Sequence, residues 1–207
     1  MNVPPPIKQK LLAGKNQPLD ETPKPGSPIF THVANKIIAS AHQSLSAAAD
    51  YFQRHQISAL ILGDTVTGES REIAKGYAAL VKEIRFHPQS LKAPIALLSG
   101  GETTVTIKGE GRGGRNTEFL LSLLIELAGM EDVYALACDT DGIDGTENNA
   151  GAIITPDSLM RAKQLGLSAQ ILLDNNDTYT FFQQLNDLVI TGPTYTNVND
   201  FRVILIL

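Results

Sequence analysis

A glycine-rich loop with two arginines is the first feature of this sequence that could do chemistry. It covers residues 109–116, reads GEGRGGRN, and lies between a predicted strand and a predicted helix. Glycines let a backbone approach an anion closely, and the start of a helix offers free N–H groups. Arg112 and Arg115 could add charge-assisted hydrogen bonds to phosphate or carboxylate. The loop therefore indicates an anion site, with a flexible loop of solvated arginines as the alternative.

The same loop contains the pattern G-x-G-x-x-G, formed by Gly109, Gly111 and Gly114. This pattern is typical of dinucleotide-binding folds, which carry an acidic residue about 20 positions further on. The strand before the loop, however, alternates polar and apolar residues, whereas a central strand of such a fold is apolar throughout. A nicotinamide site is therefore the weaker interpretation.

A second loop concentrates acidic side chains directly after a buried strand. Asp139, Asp141 and Asp144 lie within six residues of one another, between glycines. Hard cations such as Mg²⁺ bind carboxylate oxygens and water, often shared with substrate phosphates. The loop is not an EF-hand, because Ala150 occupies the twelfth position, where that motif has Glu. We expect a metal or nucleotide role, and the alternative is a cluster of turns that ends the strand.

A third loop, residues 191–200 (TGPTYTNVND), is rich in hydroxyl and amide side chains. Such groups can recognise a small polar substrate or a ribose, and they also build ordinary turns. The four histidines are scattered, and the sequence has no nucleophile elbow, no paired-cysteine zinc spacing and no Walker A motif.

The elements that would position these loops alternate between strand and helix. Apolar runs predict strands at residues 33–39, 59–62, 93–98, 133–138 and 203–207, and helical periodicity predicts helices at 42–56, 69–84 and 116–128. We expect turns at residues 63–64 and 99–102, and a hairpin that joins 93–98 to 103–108. The order predicts an α/β fold, a three-layer α/β/α arrangement with a mixed sheet. In open α/β sheets, ligands bind beyond the carboxyl ends of the strands, where these loops lie.

Composition narrows the classes of protein. The net charge is −5, and Lys and Arg form no basic stripe along the sequence. Both observations argue against nucleic acid and anionic membrane surfaces as partners. A lone cysteine, Cys138, lies in an apolar run and is expected to be a buried, inert thiol of a reducing, cytoplasmic compartment. Residues 1–28 are rich in proline and predict an extended linker, followed by an α/β domain over residues 29–207.

Three strings in fixed order carry a family resemblance: SGGETTVTIKGEGRGGRNTEF, CDTDGIDGTENNAGAI and TGPTYTNVNDFRVIL. They resemble the C-terminal signature of the glycerate 2-kinase family, known as the MOFRL domain, over about residues 94–205. Upstream, VANKIIAS and LGDTVTGESREIAKGYA are similar to the stretch that precedes it in that family. One departure is Ser40-Ala41-His42, where the family pattern usually has an Asn.

The resemblance implies an enzyme that transfers the γ-phosphoryl group of ATP to the 2-hydroxyl of D-glycerate with a divalent cation such as Mg²⁺. It implies that Arg115 is catalytic, because this residue matches the arginine of the family's GRGGRN loop. From residue type and loop position, we expect Asp139, Asp141 and Asp144 to bind the metal or its waters. The substrate- and nucleotide-binding residues that we expect from residue type and position in these loops are Ser99, Gly100, Gly101, Arg112, Gly113, Gly114, Asn116, Glu118, Gly192, Thr194, Asn197 and Asp200.

The resemblance also covers only the C-terminal half of that family. We therefore expect the family's N-terminal domain to be a missing partner, the isolated chain to have little or no turnover, and an exposed interdomain face to allow homo-oligomers. Two alternatives stay open. One is a non-catalytic domain that binds a nucleotide or a small acid, and the other is an NAD(P)H-dependent hydroxypyruvate reductase, a label long used for this family.

Overall fold

The computed structural model describes residues 3–16 and 22–207. The chain forms two compact units, residues 1–38 and 39–207. A domain boundary after residue 28 stays a prediction. Among the helices of the described ranges, none combines the length and the apolar character needed to cross a membrane.

The first unit contains a helix where the sequence predicted an extended linker. Helix α1 covers Pro5–Asn16, and a short 3₁₀ helix covers Pro28–Phe30. Pro5 and Pro6 fit the first turn of α1, because N–H groups there have no partner within a helix and a missing one costs nothing. Residues 17–21 of the predicted linker lie outside the described residues. The strand predicted at 33–39 is also wrong, because this run is irregular and Ile37 and Ile38 are exposed.

The second unit is the α/β domain. Its helices are α2 (Ala41–Arg54), α3 (Ser70–Phe86), α4 (Arg115–Leu127), α5 (Ser158–Gln164), α6 (Ala169–Asp174) and α7 (Thr178–Leu185). Its strands are β1 (Ser58–Val66), β2 (Ile95–Gly101), β3 (Val133–Asp139), β4 (Gly151–Ile154), β5 (Leu188–Val189) and β6 (Asp200–Ile206). Ser40 caps α2 as the sequence predicts, since its Oγ accepts a hydrogen bond from the Gln43 N–H.

The six strands form one mixed sheet in the order β1-β2-β6-β3-β4-β5. Strands β1 and β2 are parallel, and every other neighbouring pair is antiparallel. Helices α3 and α4 contact each other, and α4 also contacts β3, β4 and the helices α5–α7 on one face of the sheet, whereas α2 contacts β1, β2 and β6. Helices thus lie on both sides of the sheet, which confirms the predicted three-layer α/β/α class.

The predicted hairpin is wrong, and so are the turns at residues 63–64 and 99–102. Strand β1 continues to Val66 with register irregularities around Gly63, and β2 continues through Ser99 to Gly101. Gly101 has a φ of +115°, and a Cβ there would collide with the Val66 backbone. Glycine therefore lets β2 extend beside β1, where a larger residue would end the pairing. Residues 103–108 contribute only an isolated bridge between Thr104 and Glu69.

The hydrophobic core lies between the sheet and α4. Ten residues of this 13-residue helix are buried, including Phe119, Leu120 and Leu123. A helix buried on nearly all sides has little freedom to shift, so its first residues are held rigidly at the edge of the sheet. Arg115 is the first of these residues.

Candidate functional site

The three loops predicted to carry chemistry meet at one edge of the sheet. In the strand register, Val66 pairs with Gly101, Gly101 with Asp200, and Asp200 with Asp139. This row places the carboxyl ends of β1, β2 and β3 beside the start of β6, since β6 runs in the opposite direction. The first turn of α4 joins the row through its side chains. The position of the site therefore agrees with the sequence analysis.

Arg115 lies at the centre of this junction. Its Nε donates to Asp200 Oδ1 at 2.7 Å, and its Nη2 donates to Asp139 Oδ2. Its Nη1 is held more loosely, 3.5 Å from the Oε1 of Glu102, whose side chain is 61% exposed. Although burial lowers the pKa of Arg115, the hydrogen bond and charge of Asp200, with help from Asp139, leave that pKa raised. Arg115 thus carries a fixed positive charge, and its Nη1 edge is the one most open to a ligand.

The pKa of Asp139 is raised above its ordinary value. Burial of its carboxyl group raises the pKa to about 6, against the lowering effects of the Asp141 backbone N–H and of Arg115. The nearby charges of Asp141 and Asp200 raise the pKa further. Burial and the neighbouring acidic groups therefore disfavour the charged form of Asp139, and Arg115 offsets only part of this effect.

Asp144 caps helix α4. Its Oδ1 accepts from the backbone N–H of Asn116 at 3.0 Å, and its Oδ2 accepts from the N–H and hydroxyl of Thr117, both at 2.9 Å. The sequence predicts that these helix N–H groups are free for an anion, but the protein's own carboxylate occupies them. Burial raises the pKa of Asp144, and these same donors act in the opposite direction.

The three predicted metal ligands do not fit a shared metal site. Asp144 is only 1% exposed and its oxygens face α4 donors, Asp139 is paired with Arg115, and Asp141 Oδ1 accepts from the Ile143 N–H at 2.9 Å. Within residues 3–16 and 22–207, no group of three or more His, Cys, Asp or Glu is arranged to hold a metal ion. A three-carboxylate Mg²⁺ site is therefore not supported by this geometry, because the side chains are committed to protein donors.

The glycines of the first loop pack against the chain between α6 and α7. A Cβ on Gly109 would collide with Asn175, one on Gly111 with Asp177, and one on Gly113 with Thr178. Backbone hydrogen bonds hold the loop there, from Gly111 N–H to Asn175 O at 2.9 Å and from the Tyr179 N–H to Arg112 O at 2.9 Å. Close packing within the protein explains these glycines. Phosphate contacts by Gly113 and Gly114 stay a prediction.

Several predicted binding residues are buried within the protein. The residues concerned are Ser99, Asn116, Glu118 and Asp200, each at most 2% exposed, and Gly100 and Gly101 inside strand β2. Glu118 accepts from Arg71 Nε at 2.8 Å and from Asn176 Nδ2 at 2.9 Å. These side chains support the loops from beneath, so direct ligand contact by them is not what the geometry favours.

Arg112 contacts different residues from those that hold Arg115. Its guanidinium is 4.8 Å from the centroid of the Tyr179 ring and 3.3 Å from Glu147 Oε2. Its exposed side chain leaves it free to contact an anion, and the structure does not bring it to the carboxylates that hold Arg115.

The third loop is fastened to the second. Thr194 Oγ1 donates to Thr140 O at 2.5 Å, and Asn197 Nδ2 donates to Asp141 Oδ2 at 3.4 Å. Thr194 and Asn197 are exposed and Gly192 is half-buried, so all three stay available as cleft residues. A cavity of about 540 Å³ opens beside them, with Cys138 and Asp139 among its lining residues. Cys138 is half-buried, whereas the sequence predicts a buried thiol. Burial nevertheless raises the pKa of Cys138 to about 12, which keeps it a neutral thiol.

Two residues that organise the site, Arg202 and Asn176, are not among those predicted from the sequence. Arg202 is 1% exposed in β6 and donates to Asp200 Oδ2 at 2.5 Å. Asn176 accepts from the N–H groups of Lys108 and Gly109 at 2.8 and 3.0 Å. The alternation of side chains along the strand could have indicated that Arg202 is buried. In DFRVILI, Arg202 shares a face with Asp200, Ile204 and Ile206. No local signal distinguished Asn176 from an ordinary turn residue.

The fold and site define an α/β domain that presents an arginine among acidic groups at the edge of a mixed sheet. The model of the MOFRL family matches residues 95–200. The chain therefore belongs to the MOFRL family, as the resemblance predicted.

Relatives of known name agree with this assignment. A D-glycerate 2-kinase of Thermotoga maritima is 38% identical over 189 residues, which cover 91% of this chain and 44% of the relative. A protein of Agrobacterium vitis, provisionally named hydroxypyruvate reductase, is 47% identical over 191 residues, covering 90% of this chain and 42% of its own. The crystal structure of glycerate kinase from Thermotoga maritima aligns with a TM-score of 0.83 and 34% identity, covering 100% of this chain and 47% of that one. The chain thus spans less than half the length of these relatives.

Proposed function

We propose that this chain is the domain of an ATP-dependent glycerate 2-kinase that supplies Arg115, and that it needs a second domain for turnover. The observation that carries the proposal is the grip on Arg115, whose Nε and Nη2 are bound by Asp200 and Asp139 while Nη1 faces the exposed Glu102. Phosphoryl transfer depends mainly on positioning and on stabilisation of negative charge, and a rigid guanidinium supplies both.

In the proposed reaction, the 2-hydroxyl oxygen of D-glycerate attacks the γ-phosphorus of ATP, ADP leaves, and the hydroxyl proton passes to solvent. Nη1 of Arg115 would bind an oxyanion of the reacting groups after Glu102 swings away. Arg112, Gly113, Gly114, Gly192, Thr194 and Asn197 are the further candidates for substrate contact. A divalent cation such as Mg²⁺ would neutralise phosphate charge when bound, and we assign no set of ligands for it within this domain.

The dependence on a second domain is supported by the share of the relatives that this chain covers, 44% of the kinase and 47% of the crystallised one. The hydrogen bonds within the site also support this dependence. The α4 N–H groups are taken by Asp144, so a nucleotide must find further donors elsewhere. A location in the cytoplasm fits such an enzyme and stays a prediction.

The direct test is an assay of ADP release with ATP, MgCl₂ and D-glycerate. We expect little or no ADP from the chain alone, and glycerate-dependent ADP when it is mixed with the N-terminal half of the Thermotoga maritima kinase. Robust turnover by the chain alone would contradict the need for a partner. No turnover from a mixture that forms a stable complex would contradict the kinase proposal.

A reductase is the second candidate, since one relative carries that name. The dinucleotide pattern gives it little support, because Gly109 and Gly111 pack against residues 175–177 and Gly114 against Asp144. Loss of NADPH absorbance on adding hydroxypyruvate to the same mixture would favour this candidate. Calorimetry that finds ATP or glycerate binding but no turnover with the partner would favour a binding domain.

A further inference from the structure

A buried arginine in the middle of the sheet has no part in the proposed reaction as described so far. Arg202 lies in β6 with 1% of its surface exposed, on the face of the sheet that α4 covers. Removing a guanidinium from water is energetically costly unless excellent hydrogen bonds compensate, so a charge is rarely placed there without a specific role.

Arg202 contacts Asp200, which also binds Arg115, and two further residues beside the site. Its Nη2 donates to Asp200 Oδ2 at 2.5 Å and to Thr103 Oγ1 at 3.1 Å, and its guanidinium lies 5.2 Å from the centroid of the Phe119 ring. Nη1 lies 3.5 Å from Gly100 O, at the limit of a hydrogen bond. The flat guanidinium is thus fixed in one plane, and Asp200 is the acidic side chain that it holds.

Asp200 divides its two oxygens between two arginines. Oδ2 faces Arg202, whereas Oδ1 accepts from Arg115 Nε at 2.7 Å and from Asn116 Nδ2 at 2.9 Å. Because a carboxylate is planar, fixing Oδ2 also fixes the direction in which Oδ1 points. Arg115 and Arg202 are therefore linked through one carboxylate group.

Charge balance gives Arg202 a second effect. The junction holds the buried carboxyl groups of Asp139, Asp144 and Asp200. Without Arg202, Asp200 would lose one of its two arginine partners, and Asp139 and Asp200 would then compete for Arg115. Such competition would draw its guanidinium inward, away from an incoming anion.

We propose that Arg202 is a positioning residue, which orients Arg115 through Asp200 and keeps its Nη1 edge directed outward for an anionic substrate. What Arg115 then does to that substrate rests on the proposed function, whereas the orientation itself is a property of this chain. Arg202 does not touch substrate, because it is buried beneath Asp200.

The test follows the Nε–Hε signal of Arg115 in ¹H–¹⁵N spectra of the labelled chain, assigned with Arg115→Lys. In the native chain this proton should exchange slowly with water, because it is bonded to Asp200. Arg202→Gln should accelerate its exchange about tenfold or more. Arg202→Lys, which retains the charge, should restore part of the protection. An unchanged rate in Arg202→Gln would overturn the proposal.

Folding is checked from the backbone amide spectrum, which should stay native outside the junction. If Arg202→Gln does not fold, Thr103→Val serves instead, since it keeps the side-chain shape and removes one acceptor of Arg202. A smaller acceleration in the same direction is expected, and an unchanged Arg115 exchange rate in this variant would overturn the proposal.

Titration of the native chain with inorganic phosphate distinguishes the positioning role of Arg202 from the proposed binding of an anion by Arg115. A shift of the Arg115 signal supports anion binding there. No shift, together with faster exchange in Arg202→Gln, would count against the proposed function and leave the positioning role supported. A phosphate-induced shift that is identical in the native chain and in Arg202→Gln would count against the positioning role alone.

Discussion

At the scale of single residues, the site is a set of paired charges in which each acidic group has its own task. Asp144 caps α4, Asp200 links two arginines, and Asp139 completes the grip on Arg115. The sequence showed that Asp139, Asp141 and Asp144 lie close together along the chain. It could not show which donors each would meet, because those donors lie on α4 and β6, far away in sequence.

The cap by Asp144 makes a prediction about stability. Asp144→Ala removes a carboxylate that accepts from the N–H groups of Asn116 and Thr117 and leaves these buried donors without partners. We expect a loss of about 3 kcal/mol in the free energy of unfolding, measured by urea denaturation. Asp141→Ala is the matched control and should cost under about 1 kcal/mol, since Asp141 is partly exposed. Equal losses would contradict the capping role.

The titration of Asp139 makes a second prediction. Its folded pKa of about 6 lies above the ordinary value of 3.8, so the folded state binds the proton more tightly than the unfolded state does. Its contribution to stability is therefore fully present below pH 3.8 and is lost as the pH rises through about 6. A ¹³C carboxyl titration should give a midpoint near 6 for Asp139. A midpoint near the ordinary value would contradict the burial of this group.

At the scale of elements, the sequence predicted three helices of the α/β domain (α2, α3 and α4) and four of its strands (β1, β2, β3 and β6), but erred where distant partners determine the structure. Residues 103–108 alternate like a strand, yet β2 pairs with β1 and β6 instead. The run at 33–39 is β-branched, yet its side chains are exposed. Local preference predicts an extended backbone in both places, and strand pairing, which depends on distant residues, determines the outcome.

The glycine-rich loop offers a test at this scale. Asn176 holds it by accepting from the N–H groups of Lys108 and Gly109, and Asn176 itself has a φ of +54°. Asn176→Gly removes the side chain and tolerates that backbone conformation. Hydrogen exchange of the Lys108 and Gly109 amides should become at least about tenfold faster. Gln170→Ala, at an exposed position on α6, is the control and should leave both amides unchanged.

At the scale of the whole molecule, the domain has an open face as well as a candidate site. A cavity of about 400 Å³ lies along that face, lined by apolar side chains that include Tyr134, Leu136, Ile153 and Leu205. Helix α2 contacts β1, β2 and β6, whereas Tyr134 of β3 and Ile153 of β4 are 38% and 37% exposed. Homo-oligomers through an exposed face stay a prediction, which light scattering across a range of concentrations would test.

The two arginines of the glycine-rich loop test the central claim, that Arg115 acts on the reacting groups. In the mixture with the N-terminal half of the Thermotoga maritima kinase, kcat for ADP release is compared between Arg115→Met and Arg112→Met. Arg115→Met should lose about 10³-fold in kcat, as expected for an arginine that stabilises phosphoryl transfer. Arg112→Met, whose guanidinium pairs with Glu147 and Tyr179, should lose less than about tenfold. Equal kcat values for Arg115→Met and the native chain would contradict the account.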